Sequence, residues 1–273
     1  MIKLSYAVAL PDCRSKKMQC YRGDLDVICG ELKALGYDGV ELFARNPREL
    51  DQAAIEATLK KHGLAMPEMS SGPASEDNLS LTDPDAGVRA AARQRLKDYV
   101  DMAARWGAKM HIGRIRGNIP EGAGASDAGK QMREGFWEVA EYGQSRGVRI
   151  LLEPQCRFQV NCLNSVLQGI AFVRELGHPN LGIVADTFHM NIEDPSIPAS
   201  LMAAQSYLWH VHFADSNRWF PGAGHLPFPE ILEALRLIGY DGFITMEMEQ
   251  QPDSPTAARR AIRTVRALLG ALG

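Results

Sequence analysis

The sequence has 273 residues, of which 45% are hydrophobic and 23% are charged, and this globular composition excludes a disordered or fibrous chain. Thirty Lys and Arg against 33 Asp and Glu give a formal net charge of −3, so we expect neither a nucleic acid nor an anionic membrane as partner. Five cysteines without a CxxC motif predict reduced thiols in a cytoplasmic protein, and no apolar run has the length of a membrane span.

Short apolar runs alternate with longer amphipathic runs along the chain. The predicted strands cover residues 3–8, 39–44, 64–69, 109–115, 149–153, 181–186, 209–214 and 243–247. The predicted helices cover residues 25–35, 52–62, 86–106, 130–146, 165–176, 199–207, 229–237 and 255–269. Strict alternation predicts a parallel sheet, because parallel neighbours need a crossover between them. Eight such units in a chain of this length predict a single (β/α)8 TIM barrel, an α/β fold, over residues 1–273.

Metal-ligand residues stand at or near the ends of the last four predicted strands. They are Glu153, Asp186, His212 and Glu247, and their spacings of 33, 26 and 35 residues each approximate one strand and one helix. The four side chains can therefore converge above the barrel. Each alone would equally suit an ordinary polar strand end, but the shared spacing favours a metal site. Its oxygen-rich ligand set suits Mn²⁺, Mg²⁺ or Co²⁺ better than a structural zinc.

Further histidines accompany this set. His189 follows Asp186 by three residues, and we expect it to contact a substrate hydroxyl or to support the ligands. In an extended segment His210 and His212 point to the same side. His210 is deeper in the strand and is predicted to be an interior group, whereas His212 is the predicted ligand. His111, inside the fourth strand, is also predicted to be an interior group.

Other charged residues leave alternatives open. Arg114 and Arg116 lie at the end of the fourth predicted strand and would bind a phosphate or carboxylate of the substrate. Alternatively, one of them pairs with a neighbouring acid and the other is solvated. Glu41 and Glu68, on the second and third strands, would contact the substrate or neutralise an arginine.

Four segments of the chain carry a family resemblance. They are LLEP at 151–154, ADTFHMN at 185–191, HVHFADSNR at 210–218 and GYDGFITME at 239–247. They resemble the xylose isomerase-like TIM barrels, and among these the ketose 3-epimerases that act on D-tagatose and D-psicose. The resemblance extends over essentially the whole chain and is specific from about residue 150 onward.

The resemblance implies one divalent metal ion, usually Mn²⁺, held by the same four residues. It also implies that His189 and Arg218 bind oxygens of a small sugar substrate, and that the protein forms a homodimer or homotetramer. Gln159 stands where the family usually carries a glutamate that contacts a substrate hydroxyl.

These residues support a specific hypothesis about the chemistry. A ketose would be epimerised at carbon 3 by removal and return of a proton through a metal-stabilised enediolate, with Glu153 and Glu247 as base and acid. Asp186 and His212 would mainly hold the metal. The alternative is an aldose–ketose isomerase, including one for hydroxypyruvate, a sugar phosphate or a sugar acid. More remote alternatives are an abasic-site endonuclease and a non-catalytic sugar-binding protein.

Overall fold

Nine parallel strands form one sheet in the computed structural model, which describes residues 2–15 and 19–271. They are β1 (Lys3–Ala9), β2 (Tyr21–Arg22), β3 (Gly39–Phe43), β4 (Glu68–Ser70), β5 (Lys109–Ile112), β6 (Ile150–Leu152), β7 (Leu181–Asp186), β8 (Leu208–Phe213) and β9 (Phe243–Met246). One edge of β1 pairs with β3 and the other with β9, which closes an eight-stranded barrel. The short β2 pairs with the end of β1. The predicted TIM barrel is confirmed.

The helices surround this barrel. They are α1 (Leu25–Leu35), α2 (Gln52–His62), α3 (Ala86–Ala104), α4 (Ala125–Ser145), α5 (Val166–Leu176), α6 (Thr187–Glu193), α7 (Ile197–Ala204), α8 (Phe228–Leu237) and α9 (Ser254–Ala271). Side chains cap the N-termini of several helices. Asp24 accepts a hydrogen bond from Val27 N at the start of α1, and Ser165 accepts one from Gln168 N at the start of α5. None of the helices in the described part of the chain combines the length and hydrophobicity needed to cross a bilayer.

The strands are buried on both faces, because one face lies against the helices and the other lines the barrel interior. Every residue of β7, for example, is buried. The interior is unusually polar for a barrel core: Ser5 and Thr245 share a hydrogen bond of 2.8 Å, and Thr245 also contacts His210 at 2.8 Å. Polar side chains thus continue from the C-terminal end of the barrel into its middle.

An irregular register between β7 and β8 places two predicted ligands side by side. The register shifts between Ile183 and Val184, so that Asp186 pairs with His212. The indole ring of Trp209 lies over Gly182, where an added Cβ would come within 2.4 Å of the ring. Only glycine leaves room for this ring, so the backbone at Gly182 helps to fix the arrangement.

Several predicted boundaries are wrong for local reasons. The strand predicted at 64–69 is reduced to Glu68–Ser70, because Pro67 has no N–H to donate to a neighbouring strand. The strand predicted at 109–115 ends at Ile112, and after Gly113 the chain forms a 3₁₀ turn, Arg114–Arg116. The helix predicted at 130–146 begins earlier, at residue 125. Helix α6 was not predicted, because its seven residues follow the strand without a break.

Candidate active site

The four predicted ligands come together at the C-terminal end of β6–β9. One ligand atom from each of Glu153, Asp186, His212 and Glu247 lies within 4.8 Å of every other, and no residue of the set is more than 6% exposed. Nδ1 of His212 lies 2.9 Å from Oε2 of Glu247 and 3.5 Å from Oε1 of Glu153. The barrel therefore produces the convergence that the sequence spacing indicated.

Two carboxylates of this set each have one oxygen that accepts a hydrogen bond and one oxygen without a hydrogen-bond partner in the described chain. Asp186 Oδ1 accepts from the backbone N of Phe188 at 2.7 Å, and Glu153 Oε2 accepts from Gln155 Nε2 at 2.6 Å. The buried atoms Asp186 Oδ2 and Glu153 Oε1 accept no hydrogen bond from any residue in the described ranges. Unsatisfied buried acceptors are costly. A hard divalent cation would satisfy both, so these residues fit the expected metal ion.

The carboxyl groups differ in their affinity for a proton. Burial, together with the charges of Glu247 and Glu153, raises the pKa of Asp186 to about 7. Burial also opposes ionisation of Glu247. There the hydrogen bond and charge of His212, with the charge of Arg218, outweigh burial and lower the pKa of Glu247 to about 2. Without a metal ion, Asp186 therefore holds a proton up to neutral pH, whereas Glu247 is ionised.

A second buried cluster lies on the other side of His212. We call Glu41, Glu68, His111 and His210 the lower cluster, and each is at most 1% exposed. Nε2 of His212 donates to Glu41 Oε2 at 3.0 Å. His210 Nε2 lies 3.0 Å from Glu68 Oε2, and His111 Nδ1 lies 3.1 Å from Glu68 Oε1. His212 thus connects the lower cluster to the ligand set.

The lower cluster corrects the prediction for its two glutamates. Glu41 and Glu68 are fully buried and pair with imidazoles, so neither neutralises an arginine and neither is exposed to a substrate. Burial disfavours the charged forms of Glu68 and His111. Their mutual attraction, with further help from His210 and Glu153, outweighs burial: it lowers the pKa of Glu68 well below its usual range and raises the pKa of His111 to about 9.

The predicted interior positions of His210 and His111 agree with the structure, since both are buried and hydrogen-bonded. What the sequence reasoning missed is the contact between Glu41 and His212. A signal existed, because an ionisable residue in the middle of the apolar strand Gly39–Phe43 needs a buried partner. The sequence did not show which residue that partner would be.

His189 and Arg218 lie beside the ligand set with unused polar atoms. His189 is 1% exposed, and neither ring nitrogen has a hydrogen-bond partner among the described residues. Burial, with the charge of Arg218, lowers the pKa of His189 well below its usual range, so the ring is neutral. Arg218 Nη2 donates to Glu247 Oε1 at 3.1 Å, and its buried Nε is unpartnered within the described chain.

The loop that carries Arg218 is tightly held. Arg218 has a φ of 63° and donates its backbone N–H to the carbonyl of Asp215 at 2.8 Å. The Asp215 carboxylate in turn accepts from the backbone N atoms of Ser216 and Gly222 at 2.7 and 2.8 Å. The guanidinium of Arg218 stacks 4.7 Å from the ring centroid of Phe188. The side chain is therefore fixed before any ligand binds.

The two arginines predicted to bind an anion have different environments. Arg114 is exposed and lines the cavity above the ligand set. Arg116 is fully buried and does not line this cavity. Its Nη1 donates to the carbonyls of Gly113 and Glu153 at 2.9 and 3.0 Å. We therefore correct the prediction for Arg116, which ties the loops after β5 and β6 together instead of facing a substrate.

The lining of the cavity has the chemistry of a site for a hydroxylated molecule. The space above Glu153 and Glu247 is narrow, with a cavity volume of about 20 Å³. Its polar wall includes Gln19, Ser70, Gln155 and Gln159. Amide and hydroxyl groups of this kind can both donate and accept hydrogen bonds, which is what the hydroxyls of a sugar require.

Comparisons with known proteins agree with this geometry. Residues 29–268 match the family model described as xylose isomerase-like TIM barrel. A D-psicose 3-epimerase of Agrobacterium fabrum is 34% identical over 224 residues, which cover 78% of this chain and 75% of that protein. A D-psicose 3-epimerase of Ruminiclostridium cellulolyticum is 32% identical over 241 residues, covering 84% and 80%. The crystal structure of D-psicose 3-epimerase with D-tagatose from Clostridium cellulolyticum H10 aligns with a TM-score of 0.80 and 25% identity, covering 97% and 99%.

Proposed function

Because the chain belongs to the xylose isomerase-like TIM barrel family, we propose that it is a metal-dependent epimerase that inverts ketoses at carbon 3. One observation carries the proposal: buried polar atoms that have no partner among the described residues lie together in and beside the ligand set. They belong to Glu153, Asp186, His189 and Arg218. A metal ion and a sugar together would satisfy all of them.

The ligand set would hold one divalent ion, with Mn²⁺ expected and Mg²⁺ or Co²⁺ as alternatives. Three carboxylates and one imidazole supply the hard donors that these ions prefer. When bound, such an ion would supply Lewis-acid stabilisation of the negative charge that develops on the substrate's carbonyl oxygen. Gln155 would keep Glu153 in place through its hydrogen bond of 2.6 Å.

The proton transfer would be carried by Glu153 and Glu247. Glu247, which His212 and Arg218 keep ionised, would accept the proton from carbon 3. Glu153 would deliver a proton to the opposite face of the same carbon. In the reverse direction the two residues exchange roles, as a reversible epimerisation requires.

His189 and Arg218 would bind and orient the sugar. The neutral ring of His189 offers one donor and one acceptor to substrate oxygens. Arg218 offers its unpartnered Nε while Nη2 stays on Glu247. The predicted cytoplasmic location and the homodimer or homotetramer stay predictions, and light scattering of the purified protein would measure the assembly.

Proton exchange tests the proposal directly. The protein, with Mn²⁺ binding confirmed by calorimetry, is incubated in D₂O with a panel of ketoses and followed by NMR. Deuterium at carbon 3 together with a new ketose is the expected result. Deuterium at carbon 1 together with an aldose would instead establish the isomerase. Absence of exchange on every neutral and charged sugar, with metal bound, would overturn both. Metal-free protein is the control.

A further inference from the structure

We propose that the substrate carries an anionic group, a carboxylate or a phosphate, which Arg114 binds at the wall of the cavity. This inference rests on the proposed function, since it names the class of ketose that the same site would take.

The charged residues of the cavity wall are not all paired with one another. Its carboxylates are Glu153 and Glu247, both already engaged in the ligand set, and Glu247 also pairs with Arg218. Arg114 lies on the same wall, and no carboxylate in the described ranges comes within 4.0 Å of its guanidinium. It is therefore a positive charge of the wall that no described acid balances.

The remaining polar wall does not supply that balance. Gln155 and Gln159 are neutral amides, Ser70 is a neutral hydroxyl, and His111, which also lines the cavity, is paired with Glu68. Three ligand carboxylates and a bound divalent ion would together carry a charge of −1, which Arg218 on Glu247 balances, so that Arg114 remains as an excess positive charge. A ligand with a negative group would pair with Arg114, whereas a neutral ketose would leave this exposed guanidinium in contact with water.

The position of Arg114 is also well defined. It begins the 3₁₀ turn Arg114–Arg116, directly after Gly113. Gly113 lies against the site, since an added Cβ there would come within 2.9 Å of Gln155 Nε2 and 3.0 Å of Glu153 Oε2. Arg116 at the other end of the turn fastens it to the carbonyls of Gly113 and Glu153. The backbone that presents Arg114 is thus rigidly attached to a ligand residue.

This arrangement combines the two parts of an anion-selective site. The ion and the catalytic glutamates would act on the carbonyl end of the sugar, and a guanidinium on the same wall would bind the charged end. Arginine suits this role because its planar group can donate two parallel hydrogen bonds to a carboxylate or phosphate.

The test compares matched sugars with the Mn²⁺-loaded protein. D-Fructose, D-fructose 6-phosphate and D-fructuronate differ only at carbon 6, and other ketoses that exchange are tested in the same three forms. We expect one anionic form to exceed its neutral parent at least tenfold in kcat/KM for exchange at carbon 3. In Arg114→Gln this ratio should fall about 10- to 100-fold, and Arg114→Lys should retain part of it. Arg259→Gln, an exposed arginine on α9, is the matched control.

A binding measurement separates this inference from the proposed function. Calorimetry with the same sugars, on wild type and Arg114→Gln, reports affinity without turnover. Anionic sugars that bind through Arg114 without any exchange would overturn the epimerase and leave the inference standing. The inference alone would be overturned if kcat/KM for exchange were at least as high with neutral ketoses as with anionic ones and did not change in Arg114→Gln. The inference also fails if no anionic sugar binds more tightly than its neutral parent. The better of the phosphate and carboxylate forms identifies the anion.

Discussion

The carboxylate of Glu41 lies 3.0 Å from Nε2 of His212, on the opposite side of the ring from the nitrogen that faces the metal ligands. A histidine that binds a metal commonly donates its other N–H to a carboxylate, which fixes both the tautomer and the ring orientation. Glu41 would thus leave Nδ1 of His212 to face a metal ion, although Glu41 is not itself one of the four ligands.

Replacing Glu41 with glutamine should weaken Mn²⁺ binding about 10- to 100-fold, because the His212 ring loses its charged acceptor. Calorimetric titration of the metal-free protein measures this loss independently of activity. Glu233→Gln, at an exposed glutamate on α8, should bind Mn²⁺ as the wild type does. An unchanged affinity in a folded Glu41→Gln protein would show that Glu41 does not support the ligand.

Replacing Glu153 or Glu247 with glutamine should slow exchange at carbon 3 by about 10²- to 10⁴-fold, since a glutamine can neither accept nor return the proton. The rates are compared at Mn²⁺ concentrations that saturate each variant, so that lost metal is not mistaken for lost chemistry. Glu249→Gln, two residues beyond Glu247, is the control. Near wild-type turnover in both metal-loaded variants would disprove the assigned roles.

Metal affinity should fall as the pH drops below about 7, because Asp186 has a pKa of about 7 in the ion-free protein and must lose its proton to bind. Each displaced proton contributes about tenfold per pH unit. His212 must also lose a proton, because Glu41, Glu153 and Glu247 outweigh its burial and raise its pKa well above the usual range, so the decrease below pH 7 should exceed tenfold per unit. Titrations at pH 8, 7 and 6 measure the slope, and an affinity independent of pH would contradict a protonated Asp186.

Replacing His111 with leucine should destabilise the fold by about 3–5 kcal/mol, because it leaves Glu68 buried with one imidazole fewer. The double variant His111→Leu with Glu68→Met should regain part of this loss, since the charge is removed as well. Urea unfolding gives both values. Met110→Leu on the same strand is the control and should cost less than about 1.5 kcal/mol. A double variant no more stable than the single one would contradict the pairing.

The His111–Glu68 pair also gives stability a pH dependence in the metal-free protein. The pKa of His111 is about 9 in the folded state, above its ordinary value, so folding favours the protonated ring. The stabilisation is fully present below the unfolded pKa and is lost as the pH rises through about 9. Urea unfolding between pH 6 and 10 should show this decline, and His111→Leu should show less of it.

The ligand set could be predicted because, in a barrel, it depends only on where each strand ends. Residues at the ends of parallel strands meet at one rim, so the position of each strand end was sufficient to bring Glu153, Asp186, His212 and Glu247 together. The contact between Glu41 and His212 was not predictable in this way. The two residues are 171 positions apart, and which interior side chains meet depends on the register of the closed sheet.

The different environments of Arg114 and Arg116 were not predictable either, although the two residues are close in sequence. The predicted strand extended to residue 115, and in an extended strand residues two apart point to the same side. Instead, the strand ends at Ile112 and the backbone turns at Gly113. One arginine is then exposed at the cavity and the other is buried among carbonyl groups. Two identical residues therefore have different roles because of one local change in the backbone.

The pairing of β1 with β9 has a consequence for how the protein matures. β1 holds Met246 opposite Tyr6, and Glu247 follows Met246 directly. On the ribosome, Glu153, Asp186 and His212 would all be synthesised before Glu247. A nascent chain that lacks Glu247 could not present all four predicted metal ligands. Binding of an ion by all four ligands would therefore be a late event of biogenesis, after the last strand docks against the first.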